Sequence, residues 1–276
     1  MTSSASRDET LSLKEAAEEL GVHYMTAYRY VRLGVLPAHR EGRSWRVRRV
    51  DLDTLGEENP PAQTRTPADW DRRFVRRALA GDGPGAWAVL EAAFAAGMSV
   101  PDAYPRIVIP ALEQVGELWS NGEISIAQEH AASAVATRVV ARLGSRITRR
   151  GMSRGSIVVG APAGELHALP TSIAADIFRA AGFEVLDLGA NLPADSFAVI
   201  ATEQPRLVAV GMSVTSPGQG EIVRATIEAI REANDVPILL GGPGIADADE
   251  ADELGADFYA AKATDALPWL EALVNQ

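Results

Sequence analysis

From residue 156 to the C-terminal end, short apolar runs alternate with amphipathic stretches, and that alternation leaves few folds open. The runs are residues 157–160, 185–188, 207–211 and 238–240, with a weaker one at 258–260. Helical periodicity fills the intervals, at 173–181, 195–202, 219–233, 249–254 and 263–274. Five strands joined by helices imply a parallel, doubly wound sheet. The runs are almost continuously apolar, as expected of strands covered on both faces. Ligands of such sheets bind beyond the C-terminal strand ends, and the polar and small residues stand there. After the first run come Gly164, Glu165, Leu166, His167, Ala168 and Leu169. After the third come Ser213, Val214 and Thr215, and after the fourth Gly241 and Gly242.

His167 is open to two readings, a metal ligand or a capping or solvated loop histidine. Glu165 is a carboxylate of the kind that fixes the tautomer of a ligating imidazole. Paired glycines let a large flat or nucleotide-like ligand reach the backbone. The chain has no cysteine, which removes disulfides, thiolate zinc sites and cysteine nucleophiles. It holds no serine–histidine–acid set, no Walker loop and no histidine pair at helical metal spacing, so no enzyme is expected.

Charge is unevenly spread. The net charge is -11, yet residues 23–50 carry seven arginines against the single acid Glu41. Residues 151–276 carry six basic and eighteen acidic side chains. A basic head on an acidic body is expected. The polar N-terminus lacks the apolar core of a signal peptide, and no run reaches membrane-spanning length, so the expectation is a soluble cytoplasmic protein with no membrane partner.

The head, residues 10–58, opens with Ser12 and Glu15 at capping-box spacing, followed by a short helix ended by Gly21. A second helix, about 23–33, ends at Gly34. On it Thr26, Arg29 and Tyr30 share an outward face while Ala27 and Val31 face inward. Residues 38–47 alternate around Glu41-Gly42 and read as a two-stranded wing, with Trp45 packing the wing on the core. Leu13 to Ala17, Gly21-Val22, Thr26 to Arg29, Gly34 to Pro37 and Arg43 to Val47 resemble the winged helix-turn-helix of MerR-family regulators and excisionases. The resemblance implies double-stranded operator DNA as partner, with Thr26, Arg29, Tyr30, Arg40 and Arg43 as the contact residues.

Residues 59–68, with Pro60-Pro61, read as a semi-rigid linker. Residues 69–150 read as four antiparallel helices. The third runs over 104–119, and the fourth opens at a second capping box, Ser125 and Gln128. The short turn between them brings Trp119, Glu129 and His130 to one end of the bundle. This tryptophan with its following Glu-His pair is similar to the signature of cobalamin-dependent photoreceptors of the CarH and LitR type. That resemblance implies that this end covers the upper face of adenosylcobalamin.

The C-terminal residues 152–276 resemble the cobalamin-binding domain of methionine synthase and of corrinoid proteins. The likeness is carried by Glu165-Leu166-His167, Ser213-Val214-Thr215 and Gly241-Gly242. It implies His167 as the lower cobalt ligand, with the displaced nucleotide tail running past Ser213 and the two glycines. Pro170 stands where that family has glycine, and Ser120 where such photosensors can carry a histidine.

The expected chain is thus multidomain α and α/β. It comprises a winged helix-turn-helix, a four-helix bundle and a Rossmann-like, flavodoxin-like parallel-sheet cobalamin-binding domain. The expected function is a light-responsive transcriptional regulator, read as a repressor, acting as a dimer or tetramer that changes oligomeric state when light breaks the Co–C bond. The alternatives are a corrinoid methyl carrier of a methyltransferase system, or a regulator of a different corrinoid, ligand or redox cue.

Overall fold

The structure is a computed structural model that describes residues 10–20, 22, 24–32, 36–42, 44–52, 69–147 and 151–275. It forms two compact units, Met1–Ala68 and Asp69–Gln276. The expected linker at 59–68, the helix-ending Gly21 and Gly34, and Arg43 lie outside the described residues.

In the first unit, β1 (Thr10–Ser12) leads into α1 (Leu13–Glu19), followed by α2 (Tyr24–Arg32), β2 (His39–Glu41) and β3 (Ser44–Arg48). The Ser12 capping box forms as its spacing requires: Glu15 N donates to Ser12 Oγ at 3.2 Å, and Ser12 N to the Glu15 carboxylate at 2.8 Å. The wing gains a third strand that periodicity does not reveal, because β1 is three residues long and pairs antiparallel with β3. The sheet order is β1-β3-β2. Leu11, Leu13, Ala16, Ala17, Ala27, Leu36, Val47 and Leu52 close a small core. Tyr30, expected on the outward face, instead packs half-buried against this core with Val31 and Trp45. Its ring is apolar enough that burial outweighs exposure at the helix edge.

The second unit opens with the bundle: α3 (Trp70–Leu79), α4 (Gly83–Ala95), α5 (Ile109–Ser120) and α6 (Ile126–Gly144). The expected single helix over 104–119 is in two parts, a π-helical turn at Tyr104–Val108 and then α5. Pro110 explains the break. It has no N–H for the helical ladder and its ring crowds the preceding turn. The Ile109 N–H reaches back five residues to Tyr104 O. Helix α6 starts at the Ser125–Gln128 capping box.

The sheet follows, with β4 (Ser156–Gly160), α7 (Leu169–Ala180), β5 (Glu184–Asp187), α8 (Ala194–Glu203), β6 (Leu207–Ser213), α9 (Gly220–Ala233), β7 (Ile238–Gly241), α10 (Ala248–Glu253), β8 (Phe258–Ala260) and α11 (Leu267–Val274). All neighbours are parallel in the order β5-β4-β6-β7-β8, the flavodoxin-like arrangement. Helix α7 begins four residues before its periodicity shows. Pro170 sits in its first turn, where a missing N–H costs nothing.

Strand alternation sends side chains to two cores. Val158, Val210, Met212 and Leu240 face a core shared with α8, α9 and α10. Ile157, Val159, Ala209 and Leu239 face α7 and α11, and that core continues without interruption into Phe74, Leu90, Ile107 and Leu143 of the bundle. Among the described residues, one polar contact crosses this apolar seam. Tyr104 Oη donates to Asp176 Oδ2 at 2.6 Å, and Arg179 holds Asp176 Oδ1 at 2.9 Å. Burial, with the facing carboxylate, raises the Tyr104 pKa, so the phenol stays a neutral donor. Gly144 lets α6 approach this carboxylate, since a Cβ there would stand 2.6 Å from Asp176 Oδ2.

Replacing Tyr104 by Phe leaves one buried oxygen of Asp176 unsatisfied. The expected outcome is a loss of about 1–3 kcal/mol for the second unit. It is measured as a lower urea midpoint at unchanged slope.

Candidate cobalamin site

The sheet order reverses direction between β4 and β6, and the loops that follow these two strands meet there. That crevice is where an open α/β sheet offers a site. Glu165, on the loop after β4, is fully buried and reaches across to the loop after β6. Its Oε2 accepts the backbone N–H of Thr215 at 2.8 Å and of Ser216 at 2.7 Å. Its Oε1 accepts His167 N at 2.9 Å and His167 Nδ1 at 2.5 Å. Burial alone would raise the Glu165 pKa. The donors from Ser216, His167 and Thr215 outweigh it and bring it down to about 2. At neutral pH Glu165 is therefore a carboxylate.

An ionised acceptor at Nδ1 requires that nitrogen to carry the proton. In the neutral imidazole the lone pair is then on Nε2. The ring is 57% exposed while its partner is 0% exposed, so the imidazole is anchored at one nitrogen and open at the other. This is the arrangement of a single neutral ligand presented to a metal. Among the described residues no group of three or more His, Cys, Asp or Glu side chains is placed to hold an ion. A lone imidazole so held suits a metal that brings its other ligands with it.

Beside this loop lies a cavity of 820 Å³ between the strand ends and the bundle. Its walls are mainly apolar. Val159, Gly211, Met212, Ser213 and Thr215 line one side, with Gly241, Gly242 and Pro243 beyond them. Pro170, Thr171 and Ala174 of α7 line another, and Ile109, Leu112, Glu113 and Gly116 of α5 face them. Thr215 Oγ1 is buried without a hydrogen-bond partner among the described residues. An orphaned hydroxyl on the wall of an apolar cavity is a donor awaiting a ligand. These features fit a cobalamin whose nucleotide tail enters the cavity.

Several expected residues sit differently. Val214 is fully buried in the core of the far sheet face, so its side chain does not line the cavity. It contributes main chain instead, donating to Gly241 O at 2.8 Å. Gly242 has φ 104°, and a Cβ there would lie 2.3 Å from Val214 O. The glycine is needed for the two loops to touch, beyond any ligand approach. Leu169 opens α7 and packs against the core shared with the bundle. Trp119, 51% exposed at the end of α5, continues the face that Leu112 and Gly116 turn to the cavity but does not line it. Glu129 and His130 engage near neighbours. Ser133 Oγ donates to Glu129 Oε1 at 2.5 Å, and His130 Nε2 lies 3.5 Å from Glu129 Oε2 with 75% of its side chain exposed. In the head, Arg40 is exposed and lies 5.2 Å over the Trp45 ring. Thr26 and Arg29 lie on α2, and their side chains fall outside the described residues.

Two contributors carry weak sequence signals. Ser216 acts through its backbone N–H, which no residue type announces. Asn191, at φ 58°, accepts from Gly164 N at 2.8 Å and fixes the histidine loop from the β5–α8 connection. The cavity face of α5 had a signal in the spacing of Ile109, Leu112 and Gly116.

Replacing Glu165 by Gln keeps the shape and removes the charge. The expected result is a roughly 10–100-fold loss of cobalamin affinity, read by absorbance titration. The lowered pKa also sets an acid dependence. Its stabilisation is complete above the ordinary carboxylate value of 4.5 and is lost as pH falls towards about 2. The Gln variant, already lacking it, is expected to lose less stability over that window.

Residues 70–143 and 155–270 each match a family described as B12 binding domain, and residues 10–59 match a helix-turn-helix domain family. A corrinoid protein of Desulfitobacterium hafniense (strain Y51) is 33% identical over 168 residues, 58% of this chain and 76% of that one. The trimethylamine corrinoid protein of Methanosarcina barkeri is 28% identical over 194 residues, 68% of this chain and 88% of that one. The solved structure of the Methanosarcina barkeri monomethylamine corrinoid protein shares the fold, with TM-score 0.60 at 21% identity. That match covers 74% of this chain and 97% of that one. The chain belongs to the cobalamin-binding family of corrinoid proteins.

Proposed function

We propose that the chain is a binding protein, not an enzyme. Its bound cobalamin sets the affinity of the N-terminal head for double-stranded operator DNA. The observation that carries this reading is the joining, in one chain, of a helix-turn-helix match over 10–59 to the B12-binding pair over 70–143 and 155–270. The arginine-rich head on an otherwise acidic chain suits phosphate contact. A single winged helix makes limited contact, which favours a homodimer or tetramer on repeated half-sites.

In this reading His167 Nε2 would hold the cobalt and Glu165 holds its ring. Thr215 Oγ1 and Ser213 meet the tail in the cavity. The α5 face of Ile109, Leu112, Glu113 and Gly116, with Trp119 beyond it, would cover the cofactor from the bundle side. With adenosylcobalamin the cofactor supplies a cobalt–carbon bond that visible light breaks. The half-exposed indole of Trp119 is the apolar surface an adenosyl group would cover, and its loss would leave that end of the bundle free to move.

A second reading keeps the cobalamin and makes the chain a methyl carrier for a methyltransferase. The names of the relatives favour it, since they are corrinoid proteins of trimethylamine and dimethylamine systems.

The chain reconstituted with adenosylcobalamin in the dark is expected to retain the cofactor with a base-off, histidine-ligated spectrum, and His167→Ala to lose that spectrum. Duplex binding and oligomeric state are expected to differ between dark and illuminated samples. Identical binding in both, together with methyl transfer from a methylamine donor to the bound corrinoid, would establish the carrier reading instead. Arg40→Gln, on the exposed wing, is expected to weaken duplex binding by about 3–10-fold with no change in the cobalamin spectrum.

A further inference from the structure

The bundle carries a basic ridge that the cobalamin site does not use. Helix α3 reads Trp-Asp-Arg-Arg-Phe-Val-Arg-Arg-Ala-Leu. Phe74, Val75 and Ala78 are buried, and Arg72, Arg73, Arg76 and Arg77 are all exposed on the opposite side. Helix α6 adds Arg138 and Arg142, one turn apart, and Arg146 follows in the turn just past its end; all three are exposed. The two sets meet at the start of α4. The Arg138 guanidinium lies 3.8 Å from where a Cβ on Gly83 would stand, and the Arg77 side chain 2.9 Å from the same point on Gly85. From there the row continues along α4. Arg142 lies 3.8 Å over the Trp87 ring, and Arg146 lies 5.1 Å over Phe94.

Four acids offset these seven cations locally, counting Asp69 at the N-cap of α3. Asp82 pairs with Arg77 at 3.0 Å, Glu91 stands 3.9 Å from Arg142, and Asp71 lies in the first turn of α3. Arg73 stacks on Trp70. Arg72, Arg76 and Arg138 have no partner among the described residues. Arg72 with Arg76, and Arg73 with Arg77, are like-charge pairs one turn apart, an arrangement that weakens a helix by itself. Four further acids of the bundle, Glu113, Glu117, Glu123 and Glu129, lie towards the Trp119 end. A helix that keeps self-repelling cations in a chain of net charge -11 is complementary to an external polyanion.

We propose that this ridge is a second, sequence-independent contact for the phosphate backbone of the duplex that the head binds. The inference rests on the DNA-binding reading above. In sequence only residues 53–68 separate the described part of the head from Asp69, and a chain of that length spans at most about 55 Å. A phosphate row fits the ridge because it offers charges at short regular intervals to cations spaced one helical turn apart. The head then reads sequence while the bundle adds affinity and salt dependence.

The test uses the full-length, cobalamin-loaded chain and short duplexes of mixed sequence, titrated by fluorescence anisotropy over a salt series. Arg72→Gln, Arg76→Gln and Arg138→Gln are combined. The sites are exposed and unpaired, and an unchanged cobalamin spectrum reports an intact second unit. The expected result is a salt slope flatter by roughly 2–3 units and a uniform affinity loss on every duplex. The corresponding triple Lys variant is expected to restore the slope. Binding by the parent chain with an unchanged slope in the Gln variant overturns the proposal and leaves the ridge to an acidic protein surface. No duplex binding by the parent chain overturns the DNA reading itself, and this inference with it.

Discussion

One buried carboxylate holds the site together. Glu165 has no solvent to fall back on, so its charge is tolerable only while its donors stay in place. Two of them belong to the loop after β6, and two to His167 itself. The geometry of the crevice and the tautomer of the imidazole are therefore one property. A shift in either loop withdraws donors from the charge, and a change of charge releases both loops. The same argument explains why the residue is a carboxylate: an amide offers only one acceptor oxygen to the four N–H groups that converge on it.

The fold was largely legible because its signals are long and regular. Four strongly apolar runs separated by helical periodicity admit little besides a doubly wound sheet, and the order β5-β4-β6-β7-β8 follows from right-handed crossovers. What escaped reading were short or backbone-borne features. β1 has three residues and takes its meaning from pairing with β3. The π-helical turn at Tyr104 exists because of Pro110, whose effect on the preceding turn is visible, although the form of the compensation is not. At the site, Glu165 and His167 stood out as side chains with chemistry. Ser216 works through its amide, and Val214 turned away because strand alternation continues one residue past β6. The clamp of Tyr104 on Asp176 joins residues far apart in sequence, so neither spacing nor residue type announces it.

Both halves of the B12-binding match fall within one compact unit, and the structure shows the physical reason. The bundle does not rest on the sheet through a polar interface of its own. Its interior side chains run directly into those of β4, β6 and β7. The head, by contrast, closes its own small core from residues between Leu11 and Leu52. No helix among the described residues is long and apolar enough to cross a membrane.

The two faces of the sheet differ in how they can come apart. The core against α8, α9 and α10 is self-contained, whereas the other is half owned by the bundle. The cavity lies along that shared seam, with α5 on one side and the strand ends on the other. A unit built this way can part along the seam with the far core intact, a step short of complete denaturation. A molecule that bridges the seam acts as a staple on that excursion, because it binds the closed form and not the parted one. Hydrogen exchange at the amides of the bundle, compared with and without cobalamin, would report whether the seam is stapled.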